Sequence, residues 1–294
     1  MRPQVVVLAT LWLNATLFVA NLLAADLSGS RAVLSQAIFT LTDLVGSAFL
    51  LYGLYLANRP ADYDHPFGYG RERFFWAFVS IVISFSIAGL LAIVFGFEQL
   101  THPDTIGYIG VALAVVAGTL AASVVGVVVT LRELRRARET LLQLIASANP
   151  GLKGIFYQDL IAIFGAIAAL VGLVVVARTH HDAVDGLAAI VEGLILFLAG
   201  IVLSAESREY LVGRALDRPT VRGVLAVIQQ DPRVVQVRRT ESMLIGPDDA
   251  LLAVRVNFRD GLTTDQLERA IDDVTASVKQ SYPVVRHVVI EPES

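Results

Sequence analysis

Asp43 stands in the stretch LSQAIFTLTDL, residues 34–44, which is otherwise apolar, hydroxylic or amidic and has long apolar sequence on either side. A charged side chain near mid-membrane costs about 2.5–3.5 kcal/mol on insertion scales, so an acid kept there faces a partner, an ion or water. A second acid, Asp159 in GIFYQDLIAIFGA, sits near the start of another apolar run. Two carboxylates at similar depth on different helices have the chemistry to hold a cation between them. A third, Glu192 in DAVDGLAAIVEGLILF, lies well inside a further run, with Asp185 seven residues earlier on the same helical face.

The elements that carry these acids follow from composition. Hydrophobic residues make up 55% of the 294 and charged residues only 17%, and the mean hydropathy is +0.65; these values place the chain in a membrane. A spanning helix needs about 20 mainly apolar residues. Six stretches qualify: near Val5–Ala25, Val33–Ala57, Phe74–Phe97, Ile106–Leu131, Ile155–Val176 and Val184–Leu203. The first is longer than the apolar core of a cleaved leader and is followed by five more, so it reads as a span. With the N-terminus inside, the inner segments hold Arg2, Arg59, Arg71, Arg73, Arg132, Arg135, Arg136, Arg138 and Lys153, against Arg31 and Arg178 outside. Both termini are therefore expected in the cytoplasm. A net charge of -4 argues against nucleic acid as a partner, and the absence of cysteine removes disulfides and thiolate metal sites.

After the sixth stretch the hydropathy collapses. Pro219 and Thr220 open a helical pattern, VRGVLAVIQQ. VVQVRRTESMLI and ALLAVRVNF then read as strands joined by the turn signal GPDD. TTDQLERAIDDVTASVKQSY has capping threonines and an apolar helical stripe, and VVRHVVIE closes as a third strand. The expected organisation is a six-helix transmembrane domain over 1–208 and a cytoplasmic αββαβ domain over 209–294, a compact α+β fold of ferredoxin-like character.

Together these features resemble the cation diffusion facilitator family. The resemblance covers nearly the whole chain: six spans, acids in spans two and five, and an α+β tail. Its most specific piece is the loop RPADYDHPFGYGRERFFWAF, Arg59–Phe78, which is similar to the segment joining spans two and three in the branch that includes mitochondrial zinc transporter 9. YLVGRALDRP, Tyr210–Pro219, resembles the family's junction between span six and the cytoplasmic domain. The resemblance implies a homodimeric exporter in the lipid bilayer that moves a divalent metal, usually zinc, in exchange for protons by alternating access. It implies no bound cofactor, and a prokaryotic plasma membrane suits the lack of a recognisable organelle presequence.

Carried over residue by residue, the family's transport site matches at Asp43 and Asp159. The upstream ligand positions read Phe39 in span two and Ile155 in span five, and Gln158 stands where the similar branch often has Glu. Gln36, Thr40, Gln158 and Asn21 are the candidate oxygen donors that remain, with Gln36 two turns before Asp43 on the same face. An all-oxygen set suits a harder ion such as manganese or magnesium, or weak zinc binding, with iron and cobalt also open. Glu192 either adds a ligand or carries the exchanged proton.

Asp62, Asp64 and His65 in the loop have the types and spacing for a peripheral metal site, although the family's third histidine position reads Tyr69. His180, His181 and Asp182 could collect or release metal at the outer mouth. In the tail, positions where relatives carry metal-binding histidines read Arg255 and Glu291, leaving His287 without obvious partners, so a dimerising tail with little metal sensing is expected. Enzymes are the rival class, but no phosphate-cradling Gly-Lys-Ser/Thr loop, Gly-x-Ser-x-Gly elbow or His-Glu-x-x-His helix occurs. The second functional reading is a nontransporting partner or regulatory subunit with a degenerate metal site, suggested by Phe39.

Overall fold

A computed structural model of the chain describes residues 3–137, 140–146 and 150–293; the side chains of residues 3–11, 137, 143, 145, 146, 150–153 and 155 lie outside that description. Five helices among the described residues are long and apolar enough to cross a membrane: Arg31–Ala57, Glu72–Thr101, Ile109–Arg136, Phe156–Thr179 and Ala183–Val212. Ahead of them runs α1 (Pro3–Ser28), so the helical order follows the six apolar stretches. We label the others α2 (Arg31–Ala57), α3 (Glu72–Ile81), α4 (Ala88–Thr101), α5 (Ile109–Ala137), α6 (Leu141–Ala146), α7 (Pro150–Thr179) and α8 (Ala183–Val212).

Where the first two spans meet, Gly29 adopts a left-handed φ of 71° and its N–H closes α1 on the Ala25 carbonyl at 2.8 Å. The first turn of α2 is then capped from a distant part of the chain. Asp185 on α8 accepts hydrogen bonds from the Ser30 hydroxyl (2.6 Å) and from the Arg31 and Ala32 N–H groups (2.6 and 3.2 Å). These are orphan donors of a helix N-terminus, which inside a membrane protein must find an acceptor.

Between α3 and α4 the third span contains a π-helical segment, Val82–Ile87. Such a bulge re-aims the residues that follow it and often marks a functional region. Its Ser84 hydroxyl donates to the Thr42 carbonyl (3.1 Å), and the Thr42 hydroxyl returns a bond to the Ser84 carbonyl (3.4 Å). Gly46 permits this approach, because a Cβ there would strike the hydroxyls of Ser84 and Ser80.

Further along, α4 packs on α8 through glycines seven residues apart on each helix. A Cβ on Gly96 would stand 2.6 Å from the Gly186 carbonyl oxygen, and one on Gly186 would stand 2.6 Å from that of Gly96. Gly89 and Gly193 meet in the same reciprocal way, at 2.7 Å. Small residues let transmembrane backbones touch where no hydrophobic effect drives association.

The chain divides into two compact units, Met1–Tyr55 with Phe75–Ser207, and Leu56–Phe74 with Arg208–Ser294. The loop after α2 thus groups with the tail, which a single linear boundary at 208/209 does not capture. The reason is local packing: Phe67 meets His287 edge-on at 5.2 Å, Arg73 pairs with Asp248 at 3.8 Å, and a Cβ on Gly70 would lie 3.0 Å from the Ile245 carbonyl oxygen.

The tail has the order α9 (Arg218–Ile228), β1 (Val234–Gly246), β2 (Asp249–Phe258), α10 (Thr264–Ser281), β3 (Val285–Glu293). β2 is central, antiparallel to β1 and parallel to β3. Strict alternation buries Ala250, Leu252, Val254, Val256 and Phe258 on one face of β2. The two helices supply the matching apolar stripe: Val224 and Ile228 from α9, Ala270, Val274 and Val278 from α10. Asp217 caps α9, and Thr263 with Gln266 forms a capping box on α10. The fold class is thus the expected one, apolar spanning helices followed by a small α+β domain.

Candidate functional site

The acids of the helical unit fall into tiers along α2, α7 and α8. In the first tier, Asp43 is 6% exposed and Asp159 is partly buried. The two lie close enough for the charge of Asp159 to act on Asp43. Asn14 of α1 donates from Nδ2 to Asp43 Oδ2 at 2.7 Å. Asp159 is seated against α5 at Gly126, where any Cβ would overlap the carboxylate. One oxygen on each acid, Asp43 Oδ1 and Asp159 Oδ2, is buried without a hydrogen-bond partner. Gln158 lies partly buried beside Asp159.

Four residues back along α2, Phe39 occupies the position where the resemblance implies an upstream ligand. It is buried with Phe85, Ala88, Ala162 and Leu196, its ring 5.9 Å from that of Phe85. This second tier is an apolar cluster, with Ile38, Ile81, Ile161 and Leu203 packed against it. The corresponding position in span five, Ile155, has its side chain outside the described residues.

A third tier holds Gln36 and Glu192, each 1% exposed. Gln36 Nε2 donates to Glu192 Oε1 at 2.7 Å, while Gln36 Oε1 and Glu192 Oε2 are buried without partners. Gly165 of α7 opens the space they fill, since a Cβ there would stand 3.2 Å from Glu192 Cγ and 3.3 Å from Gln36 Nε2.

Several expected donors are therefore engaged elsewhere. Gln36 belongs with Glu192 rather than with Asp43. The Thr40 hydroxyl donates to the Gln36 carbonyl within α2. Asn21 donates to the Leu17 carbonyl (2.8 Å) and the Thr119 hydroxyl (3.0 Å), bracing α1 on α5. Asn14, one heptad earlier, is the α1 amide that reaches Asp43, and Asp185, aligned with Glu192 in sequence, serves as the cap on α2. Asn14 was findable: it is a polar side chain in an apolar run, and the logic applied to acids extends to amides.

In the loop, Asp62 accepts from the His65 N–H (2.8 Å) and from the Tyr69 hydroxyl (2.7 Å), and His65 Nδ1 lies 3.5 Å from Asp62 Oδ1. The Tyr69 hydrogen bond, followed by that from His65, holds the Asp62 carboxyl below its ordinary range. Both oxygens of Asp62 are thus used to close a turn. Among the described residues no three His, Cys, Asp or Glu side chains converge as a metal cluster, there or elsewhere. His180 takes a left-handed φ of 53° in an exposed link between α7 and α8. In the tail, Arg255 and Glu291 are register partners on β2 and β3 and pair at 3.0 Å. His287 Nε2 lies 3.5 Å from Asp249 Oδ1.

The family model described as the cation efflux transmembrane domain matches residues 7–212. Among curated relatives, metal tolerance protein C4 of Arabidopsis thaliana is 27% identical over 87% of this chain and 57% of its own length. The human mitochondrial proton-coupled zinc antiporter SLC30A9 is 26% identical over 91% of this chain and 48% of its own. The manganese efflux system protein MneP of Bacillus subtilis is 23% identical over 97% and 94%. The chain thus spans about half the length of the first two. Apolar spans that carry buried acids, an α+β tail and a matching family model over most of the helical unit lead to one conclusion: the chain is an integral membrane protein of the cation efflux, or cation diffusion facilitator, family.

Proposed function

We propose that this protein moves a divalent metal cation out of the cytoplasm by alternating access, in exchange for protons, through a site centred on Asp43 and Asp159. The observation that carries the reading is the pair of unpartnered buried oxygens, Asp43 Oδ1 and Asp159 Oδ2, on two different helices. Unpaired acceptors in hydrocarbon are costly, and a divalent cation between them would satisfy both while offsetting their repulsion. Asn14 fixes the Asp43 carboxylate and keeps a carbonyl oxygen as a further donor.

The donors around the pair are oxygens, and the five histidines lie in loops, at a helix end or in the tail. Such a set favours a hard ion, and manganese fits it better than zinc. The excess of Lys and Arg in the predicted inner loops supports cytoplasmic termini. A homodimer held partly by the tail, in a prokaryotic plasma membrane, completes the reading; neither catalysis nor a resident cofactor forms part of it.

The test is metal flux into proteoliposomes across manganese, zinc, iron, cobalt and magnesium, with and without a pH gradient. Loss of flux for one ion in both Asp43→Asn and Asp159→Asn supports the transporter. The burial of Phe39 in an apolar tier favours a second reading, a nontransporting partner of another exporter. Folded wild type that moves none of the ions would select it.

A further inference from the structure

The third tier contains a buried carboxylate that the metal site does not use. Glu192 and Gln36 share one hydrogen bond, from Gln36 Nε2 to Glu192 Oε1, and leave two acceptors, Gln36 Oε1 and Glu192 Oε2, without any donor. Both residues are 1% exposed, so neither orphan is relieved by bulk water. The tier is set apart from the metal pair. Gln36 precedes Asp43 by seven residues on α2, and Gly165 follows Asp159 by six on the oppositely directed α7, giving concordant separations of about 9–11 Å at 1.5 Å per residue. Between the two levels, in the same register on each helix, lie Phe39, Ala162 and Leu196 of the apolar cluster.

What could occupy this tier is limited by its donors. One carboxylate and one amide oxygen are too few for a divalent ion, which takes four ligands as zinc and six or more as calcium or magnesium. The amide nitrogen is already committed, and Gly165 presents no side chain. A proton needs far less. Added to Glu192 Oε2, it turns that atom into a donor and provides Gln36 Oε1 with the partner it lacks, giving an acid–amide pair with both orphans answered.

Building on the transporter reading, we propose that Glu192, held by Gln36 in the Gly165 notch, is a proton-binding station distinct from the Asp43–Asp159 metal station. The step is simple: the carboxylate takes a proton from water on one side of the membrane, forms the O–H bond, and returns the proton to water on the other side. No redox partner or leaving group is involved. The Phe39 tier keeps the two stations from sharing one ion, so that coupling runs through helix movement.

The charged groups around Glu192 are few. Asp185, one heptad away on the same helix, is the charge that acts on it, and Asp185 is itself bound to Ser30, Arg31 N and Ala32 N. From α2 it meets Gln36 and from α7 Gly165, neither charged. On α4 the acid is Glu98, which pairs with Arg31 at 3.6 Å near the helix end. No charged residue occurs in α5 between Ile109 and Thr130, and Asp26 of α1 is exposed.

The experiment joins infrared difference spectroscopy of the full-length protein, stepped over a broad pH range, with manganese binding and vesicle flux measured alongside an entrapped pH dye. Wild type should show a titrating protonated-carboxyl carbonyl band that persists in the Asp43→Asn/Asp159→Asn double variant and is lost in Glu192→Gln. Glu192→Gln should bind manganese with wild-type affinity and pass it downhill, yet lose metal-driven proton counter-flux. Gln36→Leu, which removes the amide partner, should keep the band and shift its midpoint. A band unchanged in Glu192→Gln, or proton counter-flux retained by it, overturns the proposal. Loss of manganese binding in folded Glu192→Gln also overturns it, by making Glu192 a ligand. Wild type with no metal binding at all would reject the transporter reading instead, and manganese binding that survives in the double variant would reject only the placement of the metal site.

Discussion

The helical unit contains two kinds of helix contact, and they treat polarity in opposite ways. Along α4 and α8, glycines at 89, 96, 186 and 193 bring backbone against backbone, and the atoms nearest each glycine are backbone atoms or side-chain carbons. Where α7 meets α5, α2 and α8, glycines at 126 and 165 instead make room for carboxylates and an amide. The same residue type thus seals one seam and hollows the other. A seam without side chains has one way to pack, whereas a seam holding unpartnered oxygens changes energy whenever an ion or proton arrives. The glycine face of α8 against α4 thus serves as a scaffold, and the faces of α2, α7 and α8 that carry Asp43, Asp159 and Glu192 as the working surface.

Breaking either seam should have separable consequences. The largest effect is expected for Gly89→Leu or Gly193→Leu, where a side chain would have to push two backbones apart. Thermal unfolding in detergent should show a loss at or above the 1–3 kcal/mol typical of overpacking, with the folded remainder still binding metal. Wild-type stability in these variants would mean the seam is not a rigid contact. Next in size, Asp43→Asn or Asp159→Asn should weaken manganese binding by at least about tenfold, since one charge-assisted contact is worth about 1.5–3 kcal/mol. Here stability should hold or rise, because the change removes a buried charge; a fall would reassign the acid as structural.

Smaller still is Asn14→Leu, which leaves both acids in place and should raise the manganese Kd by roughly 5-fold, in line with loss of one hydrogen bond worth about 1 kcal/mol. An unchanged Kd by calorimetry would remove α1 from the site. The smallest effect concerns the tail. Arg233 grips Asp231 through Nε and Nη2 at 2.9 and 2.6 Å and reaches Asp273 at 2.7 Å. The Arg233 hydrogen bond holds the Asp231 carboxyl below its ordinary 3.8. A depressed carboxylate contributes stability that is complete above the unfolded value and is lost as pH falls through the folded one. Asp231→Asn should therefore cost about 0.5–1 kcal/mol at neutral pH and flatten the acid limb of the tail's unfolding curve below about pH 4. Identical acid limbs would show that the pair contributes nothing.

How much of this was legible in the sequence depends on the range of the interaction. Apolar runs fixed the spans, and period-two patterns with turn residues fixed the strands, because each is a local consequence of burial on one face or all round. The capping box at Thr263 was legible for the same reason. The π-helical segment at Val82–Ile87 was not, since its extra residue answers to Thr42 and Gly46 on another helix. Asp185 has the spacing of a site residue, yet its work is to cap α2 from 155 residues away through Ser30. Asp43 and Asp159 were visible as isolated costly charges. Gln36 was visible too, but which acid it would choose depended on the gap that Gly165 leaves, and a missing side chain gives no signal in a single sequence. Arg255 and Glu291 read in the sequence only as positions without histidine; they pair because β2 and β3 bring them into register.

The most direct test of the central claim is an anomalous difference map from crystals of the full chain soaked with manganese. The account predicts one peak in the helical unit, between the Asp43 and Asp159 carboxylates and within coordination distance of both, that disappears in Asp43→Asn. A peak at Gln36 and Glu192, or at the Asp62 loop with none between Asp43 and Asp159, would contradict it.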